Sequence, residues 1–346
     1  MLKDQLVEVR KNHFFDIEKL QAWLNKKFPD YGKIEQIKQF IGGQSNPTFF
    51  VLFKSKNSCI LRKKPPGNLL PSAHAIEREY RVQKALEKSV IPCPKMIVLC
   101  EDMNIIGTPF YLMDVIKGNV FDSIFEIDNT KLRKKIFLSM VKMLANLHNV
   151  DYRKVKLDNY GKGEGYILRQ INRWEKQWDL SKQRELDEIK KITEWLKYNL
   201  PDDCSTSLVH GDFRLGNLIF KDNTKEIVAV LDWELSTIGH PFSDLGYLLH
   251  THYVPKGERH GLKGYDFVKE NIPSINEIIK EYCKIRNLKE FDPTFYIILS
   301  MFRSIAILEG VYARYVNGNA SSPKAKEIGQ DVEPLAKATF DVIKYL

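Results

Sequence analysis

The segment LVHGDFRLGNLIF, residues 208–220, sets two apolar, β-prone runs around His210, Asp212, Arg214 and Asn217. Side chains of these four types are costly to bury without partners. A loop can carry them only if the flanking runs are themselves held in a core. A second apolar run, EIVAVLDWE, places Asp232 fifteen residues after Asn217, at the end of a predicted strand. The fold must therefore bury both runs and still leave Asp212, Asn217 and Asp232 in a polar setting.

Asp212 and Asn217 are five residues apart. H-G-D-x-x-x-x-N thus has the same Asp-to-Asn interval as the H-R-D-x-x-x-x-N catalytic loop of protein kinases. The chemistry fits that spacing. A hydroxyl nucleophile needs a carboxylate to orient it and accept its proton, and a metal-bound triphosphate needs oxygen ligands from an amide and a carboxylate. An ordinary turn between hairpins explains H-G-D alone. It does not explain H-G-D joined to the later Asn and to LDWE.

The rest of the chain divides by periodicity. Ile17, Leu20, Leu24 and Phe28 share a helical stripe. Strand-like runs follow from residue 34, broken by GG and SNP, with PPGNLLPS as a loop whose Ser72 is placed to cap a helix over residues 73–88. IPCPKMIVLCED and TPFYLMDVIKG supply two further strands. Beyond Gly118 helices dominate: residues 131–148 carry Ile136, Met140, Met143, Leu144 and Leu147 on one face, and two more helical stretches follow before the loop. The expected class is α+β, a small mixed lobe built on β-sheet followed by a larger, mostly helical lobe.

Composition narrows the setting. The chain is 43% hydrophobic and 28% charged, as expected of a globular protein, and no run approaches the ~18–20 apolar residues of a membrane span. MLKDQLVEVRKNHFF lacks the apolar core of a signal peptide. Five scattered cysteines support neither a disulfide framework nor a Cys-based metal site, so a reducing, cytoplasmic setting is expected. The net charge of +9 permits an anionic ligand, but basic residues mostly alternate with acidic ones, as in QRELDEIKKITEWLK. No basic groove with interleaved aromatics marks a nucleic-acid binder.

With these residues in place, the sequence resembles the aminoglycoside phosphotransferase and choline kinase-like branch of the protein kinase-like fold, over roughly residues 34–310. The resemblance implies a bilobal molecule: an N-terminal helical extension (1–33), a small nucleotide-binding lobe (34–113), a hinge (114–118), and a large helical lobe with catalytic loop and acceptor site (119–346). It implies ATP or GTP with Mg2+ as cofactors. Asp212 becomes the base, Asn217 a metal ligand and Asp232 the principal metal ligand, with Glu234 adding to the metal or substrate shell. His210 and Asp244 become braces of the loop. Gly42, Gly43, Ser45 and Asn46 belong to the segment covering the phosphates, where glycine permits close approach. It is not a P-loop, since no G-K-[ST] follows.

The phosphate-binding cation normally stands on the next strand, SCILRKK. Alternation puts Ile60 and Arg62 on one face, so Arg62 takes the place of the usual lysine, with Lys63 as the rival. Glu79 on the following helix is its expected partner, with Glu77 second. Met113 flanks the adenine pocket, and the backbone of Asp114 to Ile116 faces the base.

LRKKPPGNLLPSAHAIEREYRV, LHNVDY, YILRQINRWEKQW, LDWELSTIGHPFSDLGYL and EGVYARYVNGNASS resemble more narrowly the kinase-like domain of acyl-CoA dehydrogenase family members ten and eleven, and its stand-alone bacterial relatives. That resemblance implies phosphorylation of a small hydroxylated substrate, 4-hydroxyacyl-CoA, with an acyl-CoA dehydrogenase as a separate partner. The acceptor side is read at Arg169, Gln170, Trp174, Arg303, Tyr312 and Arg314. A kinase for an aminoglycoside or other metabolite, and a nucleotide-binding pseudokinase module, are the alternatives. Oligomeric state is not legible.

Overall fold

The computed structural model describes residues 6–41, 46–65, 75–202, 204–257, 260–318 and 324–345. The chain forms two compact units. One takes the chain up to Asn119 and adds 218–223 and 227–234; the other holds the remainder.

The first unit is built on a sheet of β1 (Leu6–Val7), β2 (Ile34–Phe40), β3 (Thr48–Phe53), β4 (Ser58–Lys63), β5 (Met96–Cys100) and β6 (Phe110–Met113), in the order β1-β2-β3-β4-β6-β5 with antiparallel neighbours. In β3, TFFVLF, every second residue is buried: Phe49, Val51 and Phe53. They pack with Leu61 and Leu112 against Leu20 and Leu24 of helix α1 (Ile17–Lys27). Ile17, expected on the same stripe, is exposed, because it sits in the first turn beside the capping Asp16.

The other face of the sheet carries Ile60, Tyr111, Met113 and Met96 against Ile76 of helix α2 (Ile76–Leu86). Alternation along β4 thus turns Arg62 to the α2 side with Ile60. Ala75, which makes no side-chain cap, precedes α2; Ser72 lies outside the described residues. Helix α3 (Met103–Ile106) joins β5 to β6.

In the second unit, α4 (Thr130–His148) is capped by Asn129 and buries Ile136, Met140, Leu144 and Leu147. Helices α5 (Tyr166–Ser181) and α6 (Asp187–Tyr198) follow, then β7 (Ser207–Val209). The loop after β7 leads to β8 (Leu218–Phe220), which pairs with β9 (Ile227–Val230); this hairpin belongs to the first unit, where Val230 N–H donates to Pro92 O. That unit therefore reaches beyond residues 34–113, taking in α1 and the hairpin that carries Asp232.

Strand β10 (Thr237–Gly239) pairs with β7, and α7 (Pro241–Leu249), α8 (Phe267–Glu270), α9 (Ile275–Arg286), α10 (Thr294–Val316), α11 (Ala325–Ile328) and α12 (Val332–Lys344) complete the second unit. Helix α10 corrects one expectation from the sequence. By length and composition it is apolar enough to cross a membrane, yet 78% of that window is buried inside the protein. It packs against α5, α7 and α12 and forms the core of its unit. A helix apolar over most of its surface is what such a central position requires.

Candidate active site

The first unit gathers one cluster. Arg62 of β4 and Glu79 of α2, read as partners from the sequence, stand with Nε 2.8 Å from Oε2, and only 8% and 1% of the two residues is exposed. Arg62 Nη2 also donates to Asp232 Oδ1 at 2.7 Å, and Nη1 donates to Thr48 Oγ1 at 3.2 Å. Tyr111 O–H donates to Glu79 Oε2 at 3.1 Å. Burial pushes the Glu79 carboxyl up, and Arg62 works against that rise. Burial disfavours the Arg62 charge, but Glu79, Tyr111 and Asp232 outweigh it, so its pKa is raised. Such a pair is costly to desolvate and stable only when its remaining donors and acceptors are met.

Asp232 follows β9 in the left-handed backbone region, with φ +62°. A non-glycine residue is strained there, a cost that tends to gather at functional sites. Glu234 adds negative potential at Arg62.

Several rivals are settled by geometry. Lys63 points to the opposite side of β4, over the Phe15 ring at 6.0 Å, and burial lowers its pKa. Glu77 pairs with Lys64 instead of Arg62, at 3.1 Å. Asn46 does not present its side-chain amide outward: it is 0% exposed and donates through Nδ2 to Glu79 Oε1. Gly42, Gly43 and Ser45 lie outside the described residues. Met113 is buried against Ile60 and Tyr111. Asp114 N–H donates to Lys95 O, and Ile116 is half-buried.

The second unit holds the loop. His210, 0% exposed, and Gly211 each donate a backbone N–H to the Asp244 carboxylate, at 2.6 and 2.9 Å. His148 Nε2 lies 3.3 Å from Asp244, and its Nδ1 is 2.7 Å from Tyr282 Oη. Burial opposes ionisation of Asp244, but the contacts from His148 and His210 outweigh it and hold its carboxyl below the usual range. Gly211 has φ +83°, and a Cβ there would come within 2.6 Å of Leu235 O, so the loop admits only glycine.

Asp212 N–H donates to His210 Nδ1 at 3.2 Å, which fixes that nitrogen as the acceptor. Asn217 Nδ2 donates to both the main-chain oxygen and Oδ2 of Asp212, each at 2.9 Å. Arg214 Nε is 3.5 Å from Asp212 Oδ2, and Tyr247 hydrogen-bonds to the same carboxylate. With its Nδ2 so engaged, Asn217 keeps Oδ1 as its acceptor atom. In its own unit, each of Asn217 and Asp232 carries a side-chain oxygen of the kind that Mg2+ accepts, a cation that takes few protein ligands.

Asp212 borders a cavity of about 390 Å³ whose wall is mostly apolar: Phe137, Met140, Leu248, Leu262, Ile307 and Leu335 line it with Tyr247, His250 and Arg303. Arg303 of α10 packs over the Tyr247 ring at 4.9 Å and the Trp174 ring at 5.5 Å. Trp174 therefore supports a cavity residue without lining the cavity itself. Arg169 does not reach it. That guanidinium donates to the main-chain oxygens of Glu164 and Lys162 ahead of α5. Gln170 is half-buried and does not line the cavity; Tyr312 packs under Arg184 and Arg314 is exposed. Tyr247 was not singled out from the sequence. Its one signal was position, three residues after Asp244 in the same helix, which puts both on one face.

Burial pushes His250 from 6.5 down to about 4. The unfolded chain takes up that proton below pH 6.5 and the folded one does not until about pH 4, so this contribution to stability is lost as pH falls across the window. At pH 5 the loss amounts to about 2 kcal/mol. The stability difference between pH 7.5 and pH 5, measured by denaturant unfolding, should shrink by that amount in His250→Asn.

The sheet-based unit, the helical unit and the H-G-D-x-x-x-x-N loop define a protein kinase-like phosphotransferase. The chain belongs to the phosphotransferase enzyme family, whose model matches residues 36–269, and its chemistry is therefore of the kinase type. It is 39% identical over 350 residues to human acyl-CoA dehydrogenase family member 11, and 41% identical over 311 residues to mouse family member 10. Those matches cover 99% and 88% of this chain but 45% and 29% of the relatives, so the chain spans less than half their length. The crystal structure of a Ralstonia eutropha protein assigned to the aminoglycoside phosphotransferases shares 37% identity at a TM-score of 0.86, covering 96% of this chain and 99% of that one. Spectinomycin phosphotransferase, solved with ADP and spectinomycin, shares the fold at a TM-score of 0.62 and 12% identity, over 94% and 98% of the two chains.

Proposed function

We propose that this chain moves the terminal phosphoryl group of ATP, with Mg2+, to a hydroxyl on an acyl compound, with 4-hydroxyacyl-CoA the first acceptor to test. The observation that carries the reading is the apolar cavity bordered by Asp212. A polycationic aminoglycoside gains little from a wall of Phe137, Met140, Ile307 and Leu335, whereas an acyl chain buries its methylenes there at about 0.8 kcal/mol each. The acyl-CoA dehydrogenase names of the relatives support the same class, and a separate dehydrogenase is the partner this reading expects.

In this reading Asp212 orients the acceptor hydroxyl and takes its proton, held in aim by Asn217, Arg214 and Tyr247. Asn217 and Asp232 offer oxygen ligands to the metal, Glu234 adds negative charge, and Arg62 steadies the phosphates while Glu79 fixes its fork. The stretch from Met113 to Ile116 takes the nucleotide base. Bound Mg2+ neutralises charge on the transferring group. Positioning and charge neutralisation suffice, and no covalent enzyme intermediate is required.

A second reading, a nucleotide-binding module without transfer, is favoured by the Arg62–Asp232 ion pair, which engages the expected metal ligand. The test is ATP consumption with Mg2+ in the presence of 4-hydroxyacyl-CoA, a free hydroxy acid, choline or an aminoglycoside. A product phosphorylated on the acyl hydroxyl supports the first reading. Nucleotide binding without turnover on any acceptor supports the second, and turnover on the aminoglycoside alone overturns the acyl assignment.

A further inference from the structure

We infer that Arg303 selects the acceptor by its acyl oxygen, gripping the carboxylate or thioester carbonyl while the hydroxyl of the same molecule lies at Asp212. The inference rests on the acyl reading of the cavity given above.

Arg303 borders a largely apolar cavity, yet among the described residues it makes no ion pair. Its guanidinium is held by two aromatic faces, Tyr247 and Trp174. Cation–π contact offsets part of the cost of placing a charge there but satisfies no N–H donor. Arg303 Nε is buried without a hydrogen-bond partner, and so is the indole Nε1 of Trp174, the residue stacked against it. Two neighbouring buried donors without acceptors are unusual in a native fold. An oxygen with free lone pairs meets that need, and the planar guanidinium fork matches a carboxylate best.

The other acids near the cavity are otherwise engaged. Asp122 faces Arg214 at 3.8 Å, Asp212 is held by Asn217, Arg214 and Tyr247, and Asp331 has a partner of its own. Tyr247 supplies the ruler. Its hydroxyl meets Asp212 while its ring lies under Arg303, so the two ends of the acceptor are about one tyrosine side chain apart. A hydroxyl several carbons from the carbonyl spans that gap; a hydroxyl on the adjacent carbon does not.

The experiment is calorimetric binding of hexanoate, hexanoyl-CoA and hexanol to the intact protein without ATP, for the wild type, Arg303→Met and Arg303→Lys. Arg303→Met should weaken hexanoate or hexanoyl-CoA by about 30-fold or more, the lower end of what losing one partner of a buried charged hydrogen bond costs. Arg303→Lys should recover part of it, and hexanol should not distinguish the three proteins. A preference for hexanoate identifies the free acid as ligand, and a preference for hexanoyl-CoA the thioester; either supports the assignment. Acyl binding unchanged in Arg303→Met, no acyl binding by the wild type, or an equal loss for hexanol overturns it. If Arg303→Met does not fold, Arg303→Lys decides: wild-type hexanoate affinity with unchanged preference among the three ligands overturns the assignment. Arg303-dependent acyl binding without phosphoryl transfer to any hydroxyacyl compound separates failure of the transfer reading from failure of this one. With transfer present, Arg303→Met should raise KM for a 4-hydroxyacyl substrate far more than it lowers kcat.

Discussion

Asp212→Asn should lower kcat by about 10³-fold, within the range of 10² to 10⁴ attributed to a positioned general base. The substitution keeps the size of the side chain and its bonds to the loop, because an amide oxygen still accepts from Asn217 Nδ2, now 2.9 Å from Asp212 Oδ2. What it removes is the negative charge and the second acceptor that aims the hydroxyl. Initial rates and a thermal melt on the same preparation check this. A variant that melts like the wild type and turns over at an unchanged rate rules out Asp212 as the base.

Glu79→Leu should destabilise the protein by about 3–5 kcal/mol, because it strands a buried guanidinium. Arg62 would keep Asp232 at 2.7 Å but lose the partner on its Nε, and the Asn46 and Tyr111 donors would lose their acceptor as well. Arg62→Met combined with Glu79→Leu should cost less than Glu79→Leu alone, since an apolar pair needs no counter-charge. Denaturant unfolding of the two single variants and the double yields the coupling directly. Additive losses would mean that the two side chains act independently despite their contact.

How far the sequence could be read follows from the length scale of each feature. Arg62 and Glu79 were legible through the family resemblance, which asks for a cation on this strand and a glutamate on the next helix, while alternation alone only set Arg62 on the face of Ile60. The H-G-D-x-x-x-x-N loop was legible because its spacing is short and its chemistry specific. The contact of Asn46 was not legible, because its donor goes to a carboxylate thirty-three residues away. The contacts of Arg169 were not legible either, because a cation in the first turns of a helix serves nearby main-chain oxygens as readily as a ligand. The cavity was not legible at all. Its wall draws on residues from Asp122 to Leu335, and no window of sequence contains their meeting. Helix α10 shows the converse: its apolar run looks like a membrane span until packing reveals a core.

The bond chain from Tyr282 through His148 to Asp244, and from there to the N–H groups of His210 and Gly211, joins α9, α4 and α7 to the segment that bears Asp212. The Asp212 carboxylate is thus cantilevered from three helices, two of which, α4 and α7, also line the cavity. Damage at Tyr282 should blunt the aim of Asp212 well before the protein unfolds, so a worn foundation registers first as a slow enzyme.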